Sequence, residues 1–327
     1  MLRMKAILAH QFGGPEVLRY EDLADPAPAA GQVLVRLHAV GVNPFDTYML
    51  TGTYAITPPL PFSPGADGAG VVEATGPGVA GVRVGDRVYI GGTADHAAYG
   101  AYRQVVLCAA AQVHALPERV SFAEGAAVNV PCLTAHCALE RSAPRGGDVV
   151  LVHGASGAVG LAVVQLARAA GLTVIGSAGT DDGLQLVAAE GAHHTVDHRD
   201  PGHVARIQSL TSGRGPDVII EMLANVNLDH DLTMLAPRGR VVIVGNRGRV
   251  EIDPRKIMGK HAVVTGFAFW GLTGEELAGA HEAVGAALAS GSLRPVVGTE
   301  LPLAEAAEAH RRVMAPGARG KIVLLPD

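Results

Sequence analysis

The chain has 327 residues, which is long for one hydrophobic core and sufficient for two, so we expect two domains. Hydrophobic residues make up 48% and charged residues 17%, a composition that excludes an extensively disordered protein. The formal charge of -5, without a run of Lys or Arg, makes nucleic acid an unlikely partner, and three cysteines are too few for a disulfide framework.

No segment approaches the roughly 20 uninterrupted apolar residues that a membrane-spanning helix needs. The N-terminal segment also lacks a long apolar stretch followed by a small-residue cleavage site. From these two features we expect a cytoplasmic protein that does not enter the membrane.

Short apolar segments separated by Gly, Pro and Asp occupy residues 1 to about 125. Such short segments with frequent turn residues predict strands of an all-β, barrel-like domain. In chain order the segments are "KAILAH", "VLVRLHAVGV", "GAGVVEATG", "DRVYIG" and "YRQVVL".

A different pattern begins at Val149, where apolar runs alternate with segments of helical character. The runs are "VVLVHG", "LTVIGSA", "HTVD", "DVIIEML", "RVVIVG" and "AVVTGF". Alternation of this kind predicts βαβ units and a parallel sheet. A helix over 274–290, a short strand, a helix near 303–314 and a last strand "KIVLLP" should follow. We therefore assign residues 1–125 and 270–327 to one domain and residues 126–269 to the other.

The segment "LVHGASGAVG", residues 151–160, combines a hydrophobic strand, three glycines and the start of a helix. Glycines at such a turn let the backbone approach a phosphate, and the free N–H groups of a helix N-terminus bind its charge. Gly157 and Gly160 match the last two glycines of the dinucleotide-binding fingerprint, whereas Ala155 takes the place of the first. Because a strand precedes the turn and five further strands follow, we interpret it as a dinucleotide site rather than as glycines that only permit close packing.

The second strand of the predicted sheet ends in "VIGSAGT", so residues 177–179 occupy the place where NAD-binding proteins carry a carboxylate. Since that carboxylate would repel a 2′-phosphate, its absence favours NADPH as the cofactor. We interpret Asp181 and Asp182 as favourable charges in the first turn of the next helix. In "VDHRD", His198 and Arg199 would lie near the adenosine phosphate, with an exposed surface pair as the alternative for Arg199.

Six separated segments, in order, resemble the zinc-independent quinone oxidoreductases of the zeta-crystallin type, in the medium-chain dehydrogenase/reductase superfamily. The segments are "FGGPEVL", "GVNPFDTY", "LVHGASGAVG", "EMLANVNL", "GRVVIVGNRG" and "GKIVLL". The resemblance implies an α/β fold with a GroES-like β-barrel domain and a Rossmann domain with a doubly wound parallel sheet. It also implies an active cleft between the domains and NADPH-dependent reduction of quinones by hydride or electron transfer.

Site residues are carried over from the family position by position. Near the nicotinamide the resemblance places Asn43, Tyr48 and Thr134, which are also the candidate catalytic residues, and it makes Lys321 a further cofactor contact. The pyrophosphate would contact Ser156, Gly157, Ala158 and Val159, and the adenosine would contact Gly179, Thr180 and His198. Three loops that would close over the cofactor contain Asn227; Val244, Gly245, Asn246 and Arg247; and Phe267, Ala268 and Phe269.

A metal site is not expected. Zinc-dependent relatives of the family bind catalytic metal through a Cys and a His, and Asn43 and Ala66 stand at the corresponding positions here. Cys132, Cys137 and His136 lie close in the sequence, but zinc needs three or four convergent ligands, so we interpret the cysteines as small buried apolar residues. Without a Lewis acid, the substrate should be one that accepts reducing equivalents easily, such as a quinone or another conjugated carbonyl.

Tyr48 is the strongest candidate for a hydrogen bond to an oxyanion that develops on the substrate, with a packed aromatic as the alternative. Asn43 and Thr134 would orient the carboxamide or the substrate. The cluster of Phe267, Phe269 and Trp270 could form a wall for a ring-shaped acceptor, a packed core or a dimer contact. Because "AVVTGF" should be an apolar edge strand, we expect a homodimer.

Two alternatives to quinone reduction stay open. One is reduction of enones, 2-alkenals or enoyl thioesters by an enzyme of the same fold, since the same zinc-free site suits any activated carbonyl. The other is an NADPH-binding, crystallin-like protein with weak turnover, of which some relatives associate with RNA. The absence of a basic patch argues against the RNA association.

Overall fold

The computed structural model of the chain describes residues 3–93, 96 and 99–326. Contacts between residues divide the chain into two compact units. The first unit comprises Met1–Val130, Pro295–Ala315 and Lys321–Asp327, and the second comprises Pro131–Arg294 and Pro316–Gly320. Each unit is therefore built from segments that are distant in the sequence.

Fifteen strands lie within the described residues and are numbered in chain order. They are β1 (Arg3–Ala9), β2 (Leu18–Ala24), β3 (Gln32–Val42), β4 (Asp67–Thr75), β5 (Arg87–Gly91), β6 (Val105–Ala109), β7 (Val113–Ala115), β8 (Val149–Val152), β9 (Thr173–Ala178), β10 (His194–Asp197), β11 (Val218–Glu221), β12 (Arg240–Ile243), β13 (Val263–Gly266), β14 (Val297–Pro302) and β15 (Lys321–Leu325).

The α-helices of the same residues are α1 (Pro44–Leu50), α2 (Phe122–Gly125), α3 (Asn129–Ser142), α4 (Ala158–Ala169), α5 (Asp181–Ala189), α6 (His203–Leu210), α7 (Ala224–Met234), α8 (Pro254–Lys260), α9 (Gly274–Ser290) and α10 (Ala306–Met314). None of these helices is both long enough and apolar enough to span a membrane.

The second unit is built on a parallel sheet. Its described strands number six and follow the order β10-β9-β8-β11-β12-β13. The chain order reverses at β8 and β11, and nucleotides bind at such a reversal because the flanking helices leave a crevice there. All four residues of β11 are buried, as expected for a parallel strand whose two faces are covered by helices. All six predicted strands are present, so the predicted parallel-sheet architecture is confirmed.

The first unit contains a mixed sheet. As far as the structure describes it, seven strands take part, in the order β14-β15-β3-β4-β5-β7 with β6 paired to β3. Only the β14–β15 pair among these strands is parallel, and β1 and β2 form a separate antiparallel hairpin. Along β3, Val33, Val35 and Leu37 alternate with more exposed residues and pack into the core of this unit. This alternation is the period-2 pattern from which the strand was predicted.

A short helix, α1, follows β3 in a part of the chain where the turn-rich pattern predicted only strands. Its start carries two local signals. Pro44 occupies the first turn, and the Asp46 carboxylate accepts a hydrogen bond from the backbone N–H of Asn43 at 2.8 Å. Both features stabilise a helix N-terminus, so a search for helix-start signals would have found α1.

The helix α9 begins and ends at the predicted residues, but the structure groups it with the second unit, whereas residue 270 was the predicted boundary. Two contacts explain this grouping. The guanidinium of Arg141 lies 2.6 Å from the carboxylate of Glu276, and the side chain of Gln165 donates to the backbone carbonyl of Arg294 at 2.9 Å. The observed division therefore falls after residue 294, and a second one falls after residue 130 rather than after 125.

Candidate functional site

The turn between β8 and α4 contains the three glycines singled out in the sequence. Gly154 has a positive φ of 56°, which favours glycine. A Cβ on Gly160 would lie 2.6 Å from Gly154 O and from Ala155 Cα, so only glycine lets α4 pack against the turn. Gly157 differs, because a Cβ there would meet nothing closer than 3.5 Å and its φ is -78°. The neighbouring atoms therefore do not require glycine at position 157.

The N-terminus of α4 has the properties of an anion-binding site. The first N–H groups of a helix have no partner within it, and the helix dipole adds partial positive charge at this end. Gly157 is the N-cap without a side-chain hydrogen bond, and the first turn contains no acidic residue. Ser156 is buried beside it, and its carbonyl accepts a 2.7 Å hydrogen bond from Gly320 N. Ser156, Gly157, Ala158 and Val159, the residues predicted to contact the pyrophosphate, thus form the end of the turn and the start of α4.

The loops after β9 and β10 meet at the same edge of the sheet. Thr180 is the N-cap of α5, and its hydroxyl accepts from Gly183 N at 3.1 Å. A Cβ on Gly179 would lie 2.6 Å from Nε2 of His198, so a side chain at 179 would displace the imidazole. Burial, followed by the nearby charge of His153, lowers the pKa of His198 below its usual value. The three residues predicted to surround the adenosine are therefore brought together.

Charged residues near this edge pair with one another. Asp181 and Asp182 lie in the first turn of α5, as predicted, and Asp182 pairs with Arg319 at 2.9 Å. Arg199 donates from two nitrogens to the carboxylate of Asp197, at 3.1 and 3.2 Å, and both side chains lie at the surface. The surface-pair alternative for Arg199 is thus the arrangement that the structure has.

The loops after β11, β12 and β13 carry the remaining predicted contacts. Asn227 lies in the first turns of α7, where its side chain donates to Glu221 at 3.1 Å. In the next loop, which holds Val244, Gly245, Asn246 and Arg247, a Cβ on Gly245 would lie 2.2 Å from Met222 O. Arg247 N also donates to the side chain of Asn225 at 2.9 Å. The two loops are therefore held against each other at the carboxyl ends of neighbouring strands.

The loop that follows β13 holds Phe267, Ala268 and Phe269. The guanidinium of Arg141 lies 4.6 Å from the centre of the half-buried Phe267 ring, close enough for a cation–π interaction. Phe269 contacts Trp270 edge to face, with ring centres 4.8 Å apart. The rings are thus fixed by neighbours of the same unit rather than stacked into one flat wall.

In the first unit, Asn43, Asp67 and Lys321 form a buried polar cluster, each at most 3% exposed. The Lys321 ammonium donates to Asn43 Oδ1 and to Asp67 Oδ2, both at 2.6 Å, and Asn43 Nδ2 donates to the same carboxylate oxygen at 2.9 Å. Asp67 Oδ1 accepts from Val130 N at 2.8 Å. Two predicted cofactor contacts, Asn43 and Lys321, therefore meet around a carboxylate that the sequence analysis did not single out.

A second polar chain lies in the same unit. Tyr102 donates to Asp46 Oδ2 at 3.1 Å, and His310 Nε2 lies 3.2 Å from the Tyr102 hydroxyl. Burial raises the pKa of Asp46 to about 7, and burial lowers the pKa of His310 to about 4. Burial, with the charge of Asp46, raises the pKa of Tyr102. Burial thus opposes the charged form of all three groups.

The other two candidate catalytic residues lie on helices. Tyr48 is half-buried on α1, and its ring lies 6.4 Å from that of Tyr54 in a tilted arrangement. Thr134 is buried on α3, at 7% exposure. Tyr48 belongs to the first unit and Thr134 to the second, so each is positioned by its own unit.

The donor atoms around Asn43 do not suit zinc. They are a carboxamide and a carboxylate that already surround a lysine ammonium, whose positive charge would repel a second cation. Cys132 and Cys137 are both buried, as interpreted from the sequence. In the part of the chain that the structure describes, only His153, Glu221 and Asp231 form a group with metal-ligand spacing, their donor atoms lying within 4.8 Å of one another. We interpret this group as a hydrogen-bonded network because His153 Nε2 already lies 2.8 Å from Asp231 Oδ1.

The sequence analysis did not single out the buried partners of the predicted residues. Asp67 directly precedes the quoted segment "GAGVVEATG" and Glu221 lies inside "DVIIEML", and each stands next to small or apolar residues where a charge is costly to bury. An acid in such a setting signals a buried partner. Asp46, by contrast, could have been found from its position three residues after Asn43 at a helix start.

Two family descriptions match the chain. "Alcohol dehydrogenase GroES-like domain" matches residues 29–118, and "Zinc-binding dehydrogenase" matches residues 158–285. The first match lies within the mixed-sheet unit and the second within the parallel-sheet unit. The predicted pair of GroES-like and Rossmann domains is thus confirmed.

Full-length relatives are also found. The chain is 45% identical to the quinone oxidoreductase of Homo sapiens over 325 residues, covering 98% of each chain. It superposes on the Escherichia coli quinone oxidoreductase complexed with NADPH with a TM-score of 0.87 and 31% identity, covering 98% of this chain and 100% of the other. An NAD-dependent alcohol dehydrogenase is similar too, with a TM-score of 0.90 and 31% identity over 98% and 99% of the two chains.

Proposed function

The chain belongs to the quinone oxidoreductase family of the medium-chain dehydrogenase/reductase superfamily, and we propose that it reduces quinones with NADPH. The observation that carries the proposal is the 45% identity to a quinone oxidoreductase along 98% of both chains. Similarity of this extent includes both units rather than the nucleotide-binding unit alone.

The β8–α4 turn supports cofactor binding. When bound, NADPH supplies the reducing equivalents. The free N–H groups at the start of α4 would bind the pyrophosphate, and the space beside Gly157 lets it approach the backbone. β9 ends without the carboxylate that would repel a 2′-phosphate from the strand end itself. The adenosine would then lie near Gly179, Thr180 and His198, while the loops that hold Asn227, residues 244–247 and residues 267–269 would cover the nicotinamide half.

The donor set around Asn43 supports a substrate that needs no Lewis acid. The Lys321 ammonium is paired with the Asp67 carboxylate, and both groups form hydrogen bonds with the side chain of Asn43 and orient it. Quinones suit such a site because they accept reducing equivalents without metal activation, so orientation of the two reactants provides much of the rate. Tyr48, half-buried on α1, would donate a hydrogen bond to the quinone oxygen, and Thr134 would help to orient the nicotinamide.

The proposal is tested by following NADPH oxidation with 1,2- and 1,4-naphthoquinone, paired with NADH at each acceptor. We expect turnover with quinones and a higher kcat/KM for NADPH than for NADH. Faster turnover of 2-alkenals or enoyl-CoA than of any quinone would identify an enone or enoyl-thioester reductase instead. Tight NADPH binding without turnover of any acceptor would identify a binding protein.

Two finer points stay predictions. The first is a cytoplasmic location. The second is a homodimer formed through β13, which lies at the edge of the described parallel sheet and whose Val263 is 53% exposed. An apolar edge strand of this kind can pair with a second copy of itself.

A further inference from the structure

A buried polar network lies beneath the nucleotide-binding edge of the parallel sheet. His153 directly follows β8, Ser177 lies in β9, Glu221 ends β11, and Asp231 belongs to α7. His153 Nδ1 lies 3.2 Å from the Ser177 hydroxyl, and His153 Nε2 lies 2.8 Å from Asp231 Oδ1 and 3.6 Å from Glu221 Oε2. Glu221 and Asp231 are completely buried, so their charges are not screened by solvent.

Glu221 also holds the start of α7. Its Oε1 accepts hydrogen bonds from the backbone N–H of Leu223 and from the side-chain amide of Asn227, the latter at 3.1 Å. Asn227 is the residue that we place over the nicotinamide half of the cofactor. One carboxyl group therefore fixes both the turn that leads into α7 and the orientation of that amide.

The other oxygen of Glu221 has no hydrogen-bond donor. Among the described residues, Glu221 Oε2 and Asp231 Oδ2 are buried without a hydrogen-bond donor. A proton on Glu221 would satisfy both atoms at once. Burial raises the pKa of Glu221 to about 7, and the charge and hydrogen bond of Asp231 act in the same direction, against the opposing charge of His153.

The remaining charges near Glu221 come from neighbouring elements. Burial opposes a charge on His153, but the charge and hydrogen bond of Asp231, together with Glu221, raise the pKa of the imidazole. On the far side of His153 lies His198, whose pKa is lowered by burial and then by the charge of His153. An imidazolium, one carboxylate and one protonated carboxyl leave the buried group neutral, which is the least costly state away from water.

We propose that Glu221, in its protonated form, is a positioning residue that orients Asn227 for the nicotinamide half of NADPH. The inference rests on the proposed cofactor. In a doubly wound sheet, the two halves of a dinucleotide lie on opposite sides of the strand-order reversal, so residues after β11 face the half without the adenosine. Loss of the Glu221 contact should therefore weaken NADPH but leave an adenosine fragment unaffected.

Calorimetric titration with NADPH and with adenosine 2′,5′-bisphosphate tests whether the loss of Glu221 weakens only the ligand that contains nicotinamide. For the Glu221→Ala variant we expect the Kd for NADPH to rise roughly tenfold, with that for the bisphosphate unchanged. Glu221→Gln keeps an acceptor for Asn227 and a donor for Asp231, so it should bind both ligands like the native protein at about pH 6. The matched control is Asp229→Asn, a partly exposed acid on α7 that is paired with Lys256, which should change neither Kd.

A pH profile separates positioning from a structural role. As pH rises through about 7, Glu221 loses its proton and two buried carboxylates face each other, so native affinity for NADPH relative to the bisphosphate should fall. Glu221→Gln has no proton to lose and should lack this fall. Both proteins contain His198 and are titrated with the same two ligands, so ionisation of that imidazole or of a ligand phosphate cancels when the two pH profiles are compared.

The outcomes are distinct. Failure of the native protein to bind either ligand would refute the proposed cofactor. Native binding of both, with the same pH profile of the ratio in the native protein and in Glu221→Gln, or with equal weakening of both ligands in Glu221→Ala, would overturn the positioning role alone. If Glu221→Ala does not fold, the comparison of the native protein with Glu221→Gln still decides. One tightly held metal ion per chain, lost in Glu221→Gln, would also overturn it, since a metal cannot share the site with the proton.

Discussion

Lys321 and Asp67 lie 254 positions apart in the sequence and form an ion pair of 2.6 Å at the centre of the first unit. Their side chains are 2% and 0% exposed, so each charge depends on the other for its stabilisation. The pair joins β15, near the end of the chain, to the start of β4.

Replacing Lys321 with Met should strongly destabilise the protein. The change leaves the Asp67 charge buried without its partner, which typically costs about 3 kcal/mol or more. Urea unfolding monitored by circular dichroism measures the loss. Asp67→Asn added to Lys321→Met should recover part of it, and Lys5→Met, at an exposed pair with Asp22, should have little effect. Equal stability of Lys321→Met and the native protein would contradict the prediction.

Two glycine substitutions in the β8–α4 turn should change different properties of the protein, one its stability and the other its affinity for NADPH. Gly160→Ala should lower the free energy of unfolding by about 2 kcal/mol, because its Cβ would lie 2.6 Å from Gly154 O. Gly157→Ala should fold normally but bind NADPH roughly tenfold more weakly, because its methyl group occupies the space of the pyrophosphate. Urea unfolding and calorimetric titration of both variants make the comparison. Normal NADPH affinity in Gly157→Ala would place the pyrophosphate elsewhere.

The buried Asp46 should make stability depend on pH. Its pKa is raised from 3.8 to about 7, so its contribution to stability is fully present below about pH 4 and is lost as pH rises through about 7. At higher pH the loss reaches at most about 4 kcal/mol. Asp46→Asn has no proton to release, so relative to the native protein it should gain stability between about pH 4 and about pH 7. Urea unfolding at several pH values measures the difference, and parallel profiles for the two proteins would count against it.

Dimerisation through β13 should be sensitive to charge. Val263→Lys introduces an ammonium at the exposed sheet edge, where a repeated positive charge opposes pairing with a second copy. We expect a native dimer and a monomeric variant in sedimentation equilibrium. Met258→Lys, at another exposed apolar position that is outside β13, serves as the control. A native monomer, or a dimer that survives the Val263 change, would exclude this interface.

Local periodicity was sufficient to predict much of the fold. Strands such as β3 and β11 were predicted because alternating or continuous apolar residues reflect the number of faces that each strand buries. The helix α9 was predicted at its observed ends, where Thr273 and Gly291 cap it. These signals lie within a few residues of the structure that they specify.

The candidate site could be predicted only where its signals are local. The glycines of the β8–α4 turn were sufficient to predict a nucleotide site there, since the turn is formed by neighbouring residues. Asp67 with Lys321, and Glu221 with Asp231, acquire their roles from partners brought together by the fold. The spacing of residues in the sequence does not indicate such long-range contacts, so the charge interactions of the site could be identified only from the structure.

The hydrogen bond from Gly320 to Ser156 has a consequence for how the protein can be divided. Gly320 also pairs with Gly157 in a parallel bridge. Residues 316–320 thus belong to the second unit, although residues 295–315, which precede them in the chain, belong to the first. A fragment cut at residue 294 would keep the whole parallel sheet and lose the backbone that braces its nucleotide turn. During synthesis, likewise, this turn stays unbraced until residues 316–320 leave the ribosome.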